Sequence, residues 1–143
     1  MKQLTKVIPC IVTILLLSAC GLAGQQPQQT EEPATPPDLI GEWKQTNSNS
    51  DDSWQAATIS NDTIEIYWVS DDGNTKALYW AGTFAAPETA DEPYSWESEN
   101  DKEKTGMALL ASGDDIKKFT YNDGVISYDV SAMGVTQQIK LER

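Results

Sequence analysis

The chain predicts an all-β domain, an antiparallel meander that closes into a small barrel or sandwich. Three observations carry this expectation. No stretch of the 143 residues sustains a 3.6-residue apolar period. Short runs that alternate apolar with polar residues recur instead, as half-buried strands require. Clusters of Asp, Asn, Gly and Pro punctuate those runs at regular intervals. Residues 39–143 are enough for one small domain with a single core.

The expected strands follow in order at 40–46, 54–60, 63–70 and 76–84. Residues 85–92 then form a loop, with Pro87 inside it and Pro93 just beyond, because proline cannot donate to a strand ladder. A strand at 93–99 and a second loop, Asn-Asp-Lys-Glu-Lys-Thr at 100–105, come next. Four further strands are expected at 106–111, 116–121, 125–131 and 135–142.

Three hairpins set registers. An Asp123-Gly124 turn matches the twist of its flanking strands and places Tyr121 opposite Ile126 and Phe119 opposite Tyr128. Met133-Gly134 closes the next pair and sets Tyr128 against Ile139 and Ile126 against Leu141. Around Asp71-Asp72-Gly73-Asn74, a tight turn would send Leu78 and Trp80 outward. A longer loop opposes Trp68 to Leu78 and Ile66 to Trp80, keeping the large apolar groups together. A one-residue slip flips a whole strand, so burial selects the longer loop. That register puts Tyr67 across from Tyr79 on the outer face.

The N-terminal segment has its own grammar. Lys2 and Lys6 precede an apolar run, Val7 to Leu17, that is too short to span a bilayer needing roughly 20 apolar residues. It fits a secretory signal, and Leu17-Ser18-Ala19-Cys20 resembles a bacterial lipobox. The resemblance implies a signal peptide at 1–19, cleavage before Cys20, and a diacylglyceryl group on its sulfur. The other reading is an ordinary cleavable signal with an incidental cysteine. Residues 20–38 then comprise the lipidated cysteine and a tether of Gln, Pro, Thr and Glu with almost nothing apolar to pack. Its eighteen residues after Cys20 reach roughly 55 Å at about 3.1 Å each. The expected location is the extracytoplasmic face of a cell membrane, held by acyl chains, each buried methylene contributing about 0.8 kcal/mol. A single plasma membrane is the simplest setting. In a two-membrane envelope, Gly21 in place of an Asp resembles the pattern that permits passage to the outer membrane.

Composition removes whole classes of chemistry. The two cysteines, Cys10 and Cys20, both belong to the leader or its lipid, and the chain has no histidine. No Ser-His-Asp triad, His-ligated metal or thiolate nucleophile can be assembled in the mature domain. Its net charge is −12; without Lys2 and Lys6, eight basic residues face 22 acidic ones, giving −14. Such a surface repels phosphate backbones, so nucleic acid is not an expected partner. It confers solubility or favours cationic peptides.

Leu39-Ile40-Gly41-Glu42-Trp43 carries a family resemblance. A Gly-x-Trp triplet on a first strand, followed by a meander, is similar to the start of a lipocalin-like barrel. The resemblance implies that Trp43 closes one barrel end while the other mouth holds a small apolar ligand. The basic residue near the last strand is available as Lys140 or Arg143. The family's Thr-Asp-Tyr-like turn is not found.

Trp43, Trp68, Trp80 and Trp96 fall on positions that share one face and read as core, or as a sugar- or ligand-stacking platform. Trp54, preceded by seven residues with no apolar side chain, has the best claim to exposure. With Tyr67 and Tyr79 it forms the candidate binding patch, since aromatic residues are enriched at interface cores. The pairs Asp51-Asp52, Asp71-Asp72 and Asp114-Asp115 read as turn residues, too few in any loop for a calcium site. No metal, cofactor or catalytic residue is expected.

The functional expectation is therefore a membrane-anchored module that binds a protein or small ligand at the cell surface. An immunity or superinfection-exclusion lipoprotein, blocking an external toxin, phage or lytic component, is the second reading. Only it predicts that deleting the gene sensitises cells to an outside agent. A hydrolase using carboxylates alone is the third, and requires two acidic side chains in one pocket.

Overall fold

A computed structural model describes residues 33–143; the lipobox, Cys20 and most of the tether lie outside the described residues. Pro33–Asp38 carry no regular structure, and Leu39 is the first buried side chain. Eight strands follow: β1 Gly41–Gln45, β2 Trp54–Ser60, β3 Thr63–Ser70, β4 Thr75–Thr83, β5 Tyr94–Glu99, β6 Ile116–Asn122, β7 Val125–Ala132 and β8 Val135–Glu142. They form one antiparallel sheet in the order β4-β3-β2-β1-β8-β7-β6-β5. This is a meander whose first and last strands pair, through Lys44 with Glu142 and Gln45 with Leu141. The sheet rolls into a nearly closed barrel, compatible with a lipocalin-like one.

The remaining seam lies between β4 and β5. A single bridge, Gly82 with Asn100, joins them. Beyond it the chain folds back along the β4 edge, where Asp101 N donates to Ala81 O and Ser112 N to Tyr79 O, both at 2.8 Å. These bonds satisfy edge groups that would otherwise invite another strand. The covering segment includes one helical turn, α1 Lys102–Thr105, capped by the Asp101 carboxylate on the amides of Glu103 and Lys104. The sequence reads 100–105 as loop and 106–111 as strand, and both expectations fail here. Asp101 is a strong N-cap, which favours the turn of helix. Residues 106–111 form turn and loop; Met107 and Leu109 face solvent, so their apolar spacing does not mark a buried face.

The hairpin registers follow from turn chemistry. Asp123-Gly124 and Met133-Gly134 each hold positive φ at both positions, the two-residue geometry that suits strand twist. Tyr121 pairs with Ile126, Tyr128 with Ile139 and Ile126 with Leu141. The β6–β7 ladder runs from Asn122–Val125 to Thr120–Ser127, and the Phe119 and Tyr128 rings beyond it meet at 5.0 Å.

The β3–β4 hairpin differs from expectation in an informative way. Ile66 does oppose Trp80, and Trp80 is fully buried. However, the loop has only four residues between the paired Ser70 and Thr75, so Trp68 meets Ala77 and Tyr67 meets Leu78. A bulge at Tyr79 absorbs the extra residue, restoring the register just before Trp80. Burial of Trp80 is achieved by a bulge near the middle of the strand instead of a longer loop.

Side chains fill the barrel axis. Trp80, Phe119, Ile64, Ile66, Ile126 and Leu141 are fully buried. Tyr94, Trp96 and Phe119 stack with centroid spacings of 5.7 and 5.1 Å, and Tyr128 packs at a tilt on Phe119 at 5.0 Å. Trp43 is buried in this core: its indole donates to Leu39 O at 2.9 Å, and the Arg143 guanidinium lies 4.5 Å over its ring. Arg143 also donates to Asp38 O at 2.5 Å and Ile40 O at 3.0 Å, tying the last strand to the start of the first. Trp68 is only partly buried against this core. Two buried donors, Gln55 Nε2 and Trp96 Nε1, have no partner among the described residues.

Candidate functional site

The main concavity lies on the outer wall of the barrel, not in its lumen. Strand parity builds it. In β2, Gln55, Ala57 and Ile59 are buried, so Trp54, Ala56 and Thr58 face outward. In β1, Glu42 and Lys44 flank the buried Trp43, and in β3 Glu65 and Tyr67 flank the buried Ile66. The registers align these side chains across the sheet: Lys44 pairs with Ala56 and Ala56 with Tyr67, while Glu42 pairs with Thr58 and Thr58 with Glu65. Ala56 and Thr58 are small, and the larger residues around them rise as walls. The result is an open groove of about 590 Å³, whose lining also includes Lys76, Glu142 and Arg143. That volume falls in the range of small-molecule sites, roughly 300–1,000 Å³.

Three contacts define its chemistry. The Lys44 ammonium lies 4.0 Å from the centre of the Trp54 ring, a cation–π contact. Tyr67 donates its hydroxyl to Glu65 Oε2 at 2.8 Å, and Lys104 holds Glu65 Oε1 at 2.6 Å. The hydrogen bond from Lys104, then that from Tyr67, keeps the Glu65 carboxyl below its ordinary value of 4.5. In return the Glu65 carboxylate pushes the Tyr67 phenol up.

This network predicts acid sensitivity. Glu65 titrates lower in the folded protein than in the unfolded chain. Its stabilising contribution is therefore complete above the unfolded value near 4.5 and disappears as pH falls through the folded one. Urea midpoints of the wild type between pH 6 and 3 are expected to fall further than those of Glu65→Gln. Parallel profiles for the two would show that the contact contributes nothing, as many exposed ion pairs do.

The groove gathers two of the three aromatics of the expected patch. Trp54 and Tyr67 are half-buried on the outer face, diagonal to each other across β2 and β3. Tyr79 is not with them. Its side chain is 6 % exposed and sits inside the barrel, edge-on to Trp68 at 5.5 Å, with the Lys117 ammonium 5.3 Å over its ring. The β4 bulge causes this correction by turning Tyr79 inward and leaving Leu78 opposite Tyr67. Cys20, the expected lipidation site, lies outside the described residues. Lys44, Ala56 and Glu65 are site residues that the sequence alone does not single out. Their signal is parity with Trp54 and Tyr67, but the eight-residue β1–β2 connection hides the register that reveals it.

The paired aspartates occupy a bend, a 3-10 turn and a loop. Asp52 accepts from Ser50 and Ser53, Asp71 from Thr75, and Asp114 from Ser112 and Lys117. Among the described residues no three His, Cys, Asp or Glu side chains converge to hold a metal ion. Among them, too, no helix is long and apolar enough to cross a membrane.

Fold and site together define a small eight-stranded meander barrel with a mixed aromatic and charged groove on its outside wall. The chain matches no protein-family model, and no curated protein or solved structure matches it.

Proposed function

We propose that this protein is a lipid-anchored, extracytoplasmic binding module of lipocalin-like build that takes its ligand on the outer wall of the barrel. The observation that carries this reading is the pair Trp54 and Tyr67, half-buried around the small Ala56 in a groove open to solvent. Large amphipathic rings held partly exposed supply contact area at little entropic cost, the usual property of binding hot spots. The packed axis supports an external rather than a luminal site. The groove does bring Glu42, Glu65 and Glu142 into one pocket, but Glu65 is committed to Lys104 and Tyr67 and held ionised, the opposite of the shift a carboxylic general acid requires, which favours binding over catalysis.

The anchor rests on Leu17-Ser18-Ala19-Cys20. Its test is the N-terminal peptide of protein recovered from host membranes. That peptide should begin at Cys20 with the added acyl mass, and Cys20→Ser should move the protein to the soluble fraction. An unmodified N-terminus upstream of residue 20 would remove the anchor from the proposal. Crosslinking on intact cells tests the groove. A captured partner should disappear when Trp54 and Tyr67 are both changed to alanine. Capture that persists at wild-type yield places the binding surface elsewhere.

A further inference from the structure

We propose that the ligand of this groove is a cationic peptide segment, and that Lys44 is its internal stand-in, occupying Trp54 until a ligand ammonium or guanidinium replaces it. The inference rests on the outer groove being the binding site. It starts from a ligand-like contact the groove already makes, the Lys44 ammonium 4.0 Å over the Trp54 ring. Lys44 is an exposed residue on a flexible stem, yet its charge rests on an indole face. A surface that satisfies one ammonium is prepared for another, because ring and surrounding carboxylates are already in place.

Those carboxylates are Glu42, on the same face of β1 as Lys44, and Glu142, paired with Lys44 from β8; Glu65, further along the groove, is already held by Lys104 and Tyr67. Two of the three groove cations are engaged internally, Lys44 with Trp54 and Arg143 with the Trp43 ring and the carbonyls of Asp38 and Ile40. A ligand cation that displaces Lys44 meets the same ring and carboxylates, while the freed lysine swings into water.

The field around the domain points the same way. Residues 33–143 hold eight basic and 20 acidic side chains, a net charge of −12. Such a field steers cations inward and repels anions, with a strong dependence on salt. A single lysine side chain would leave most of the groove empty, whereas an extended segment fills it across β1, β2 and β3 and reaches the Tyr67 ring. A neutral glycan would have to displace Lys44 with no charge to take its place.

The experiment uses the full chain purified in detergent, with four probes: (Lys-Gly)5, (Glu-Gly)5, spermidine and chitohexaose. Tryptophan fluorescence and calorimetry measure binding at two salt concentrations. The expected result is binding of (Lys-Gly)5 alone, weakened by salt and by at least about tenfold in Trp54→Ala. Lys44→Gln, at an exposed position, should tighten (Lys-Gly)5 by about threefold to tenfold, because the internal competitor is gone. An unchanged melting temperature in that variant shows the fold intact. Lys44→Gln binding that is weaker than wild type overturns the stand-in. Spermidine binding as tightly as the peptide overturns the peptide in favour of small amines. Preference for (Glu-Gly)5 or chitohexaose overturns the ligand class. If partner capture on cells is lost in the Trp54/Tyr67 variant while (Lys-Gly)5 fails to bind, the ligand class falls and the groove stands. If capture survives that variant, the groove itself falls.

Discussion

Replacing Trp80 with alanine is expected to lower the unfolding free energy by about 3–5 kcal/mol, the range for a large aromatic lost from a close-packed core. Domains of this size are stable by about 5–15 kcal/mol and lose roughly 4–8 °C per kcal/mol, so the melting temperature should fall by about 12–40 °C. The side chain is fully buried opposite Ile66, and its indole donates to Ser98 Oγ at 3.0 Å. Ser98 is itself fully buried, so the truncation leaves a cavity and an unpaired hydroxyl together. The Lys117 ammonium, 5.3 Å over the same ring, loses that face as well. Trp80→Phe keeps most of the volume but not the donor and should recover a large part of the loss. Thermal unfolding of the two variants by circular dichroism makes the comparison. A loss below about 1 kcal/mol in the alanine variant is the size expected of a surface substitution, and would mean that Trp80 does not sit at the barrel centre.

The second large effect is expected at Gly82, where β4 and β5 come together. A Cβ there would stand 2.4 Å from Ser98 Oγ, 2.5 Å from the Glu99 carbonyl oxygen and 2.8 Å from Trp80 Nε1. The nearest atoms are buried side chains and backbone, so neither can yield without moving a strand. Gly82→Ala should cost about 3 kcal/mol, the upper part of the overpacking range. The damage should be local. The Gly82–Asn100 bridge opens, together with the bonds from Glu99 N to Thr83 Oγ1 at 2.9 Å and from Asp101 N to Ala81 O at 2.8 Å. Hydrogen exchange should report faster exchange at the amides of Glu99 and Asp101 than in the wild type. Adding Ser98→Ala removes one of the three contacts and should restore only part of the stability, since the carbonyl remains. Unchanged protection at both amides would show that the seam is looser than its geometry states.

Much of the barrel is legible in the chain because its information is local. Asp123-Gly124 and Met133-Gly134 specify turns through backbone conformations that few residue types adopt readily, and both pairings follow directly. Alternation along β2, β7 and β8 marks which residues turn inward. Trp54 and Tyr67 are legible for the same reason: each falls on the outward phase of its strand. The turn of helix after Asp101 had a local signal in its N-cap, but two other misreadings had none. Residues 106–111 look like a strand, yet the β4 edge is satisfied by scattered bonds from Asp101 and Ser112 rather than by a ladder. Tyr79 looks outward by simple alternation, but a bulge turns it inward, and no local residue announces it.

The chain by itself determined the all-β class, all eight strands to within one residue at either end, and the want of any histidine or thiol in the folded domain. Each of these is a property of composition or of neighbours in sequence. Only the tertiary structure decided that Tyr79 leaves the patch, that Lys44 lies on Trp54, and that Arg143 lies on Trp43. Those contacts join residues brought together by register and by closure of the sheet. Their energy is gained only when distant strands have already met, so no local pattern along the chain encodes them.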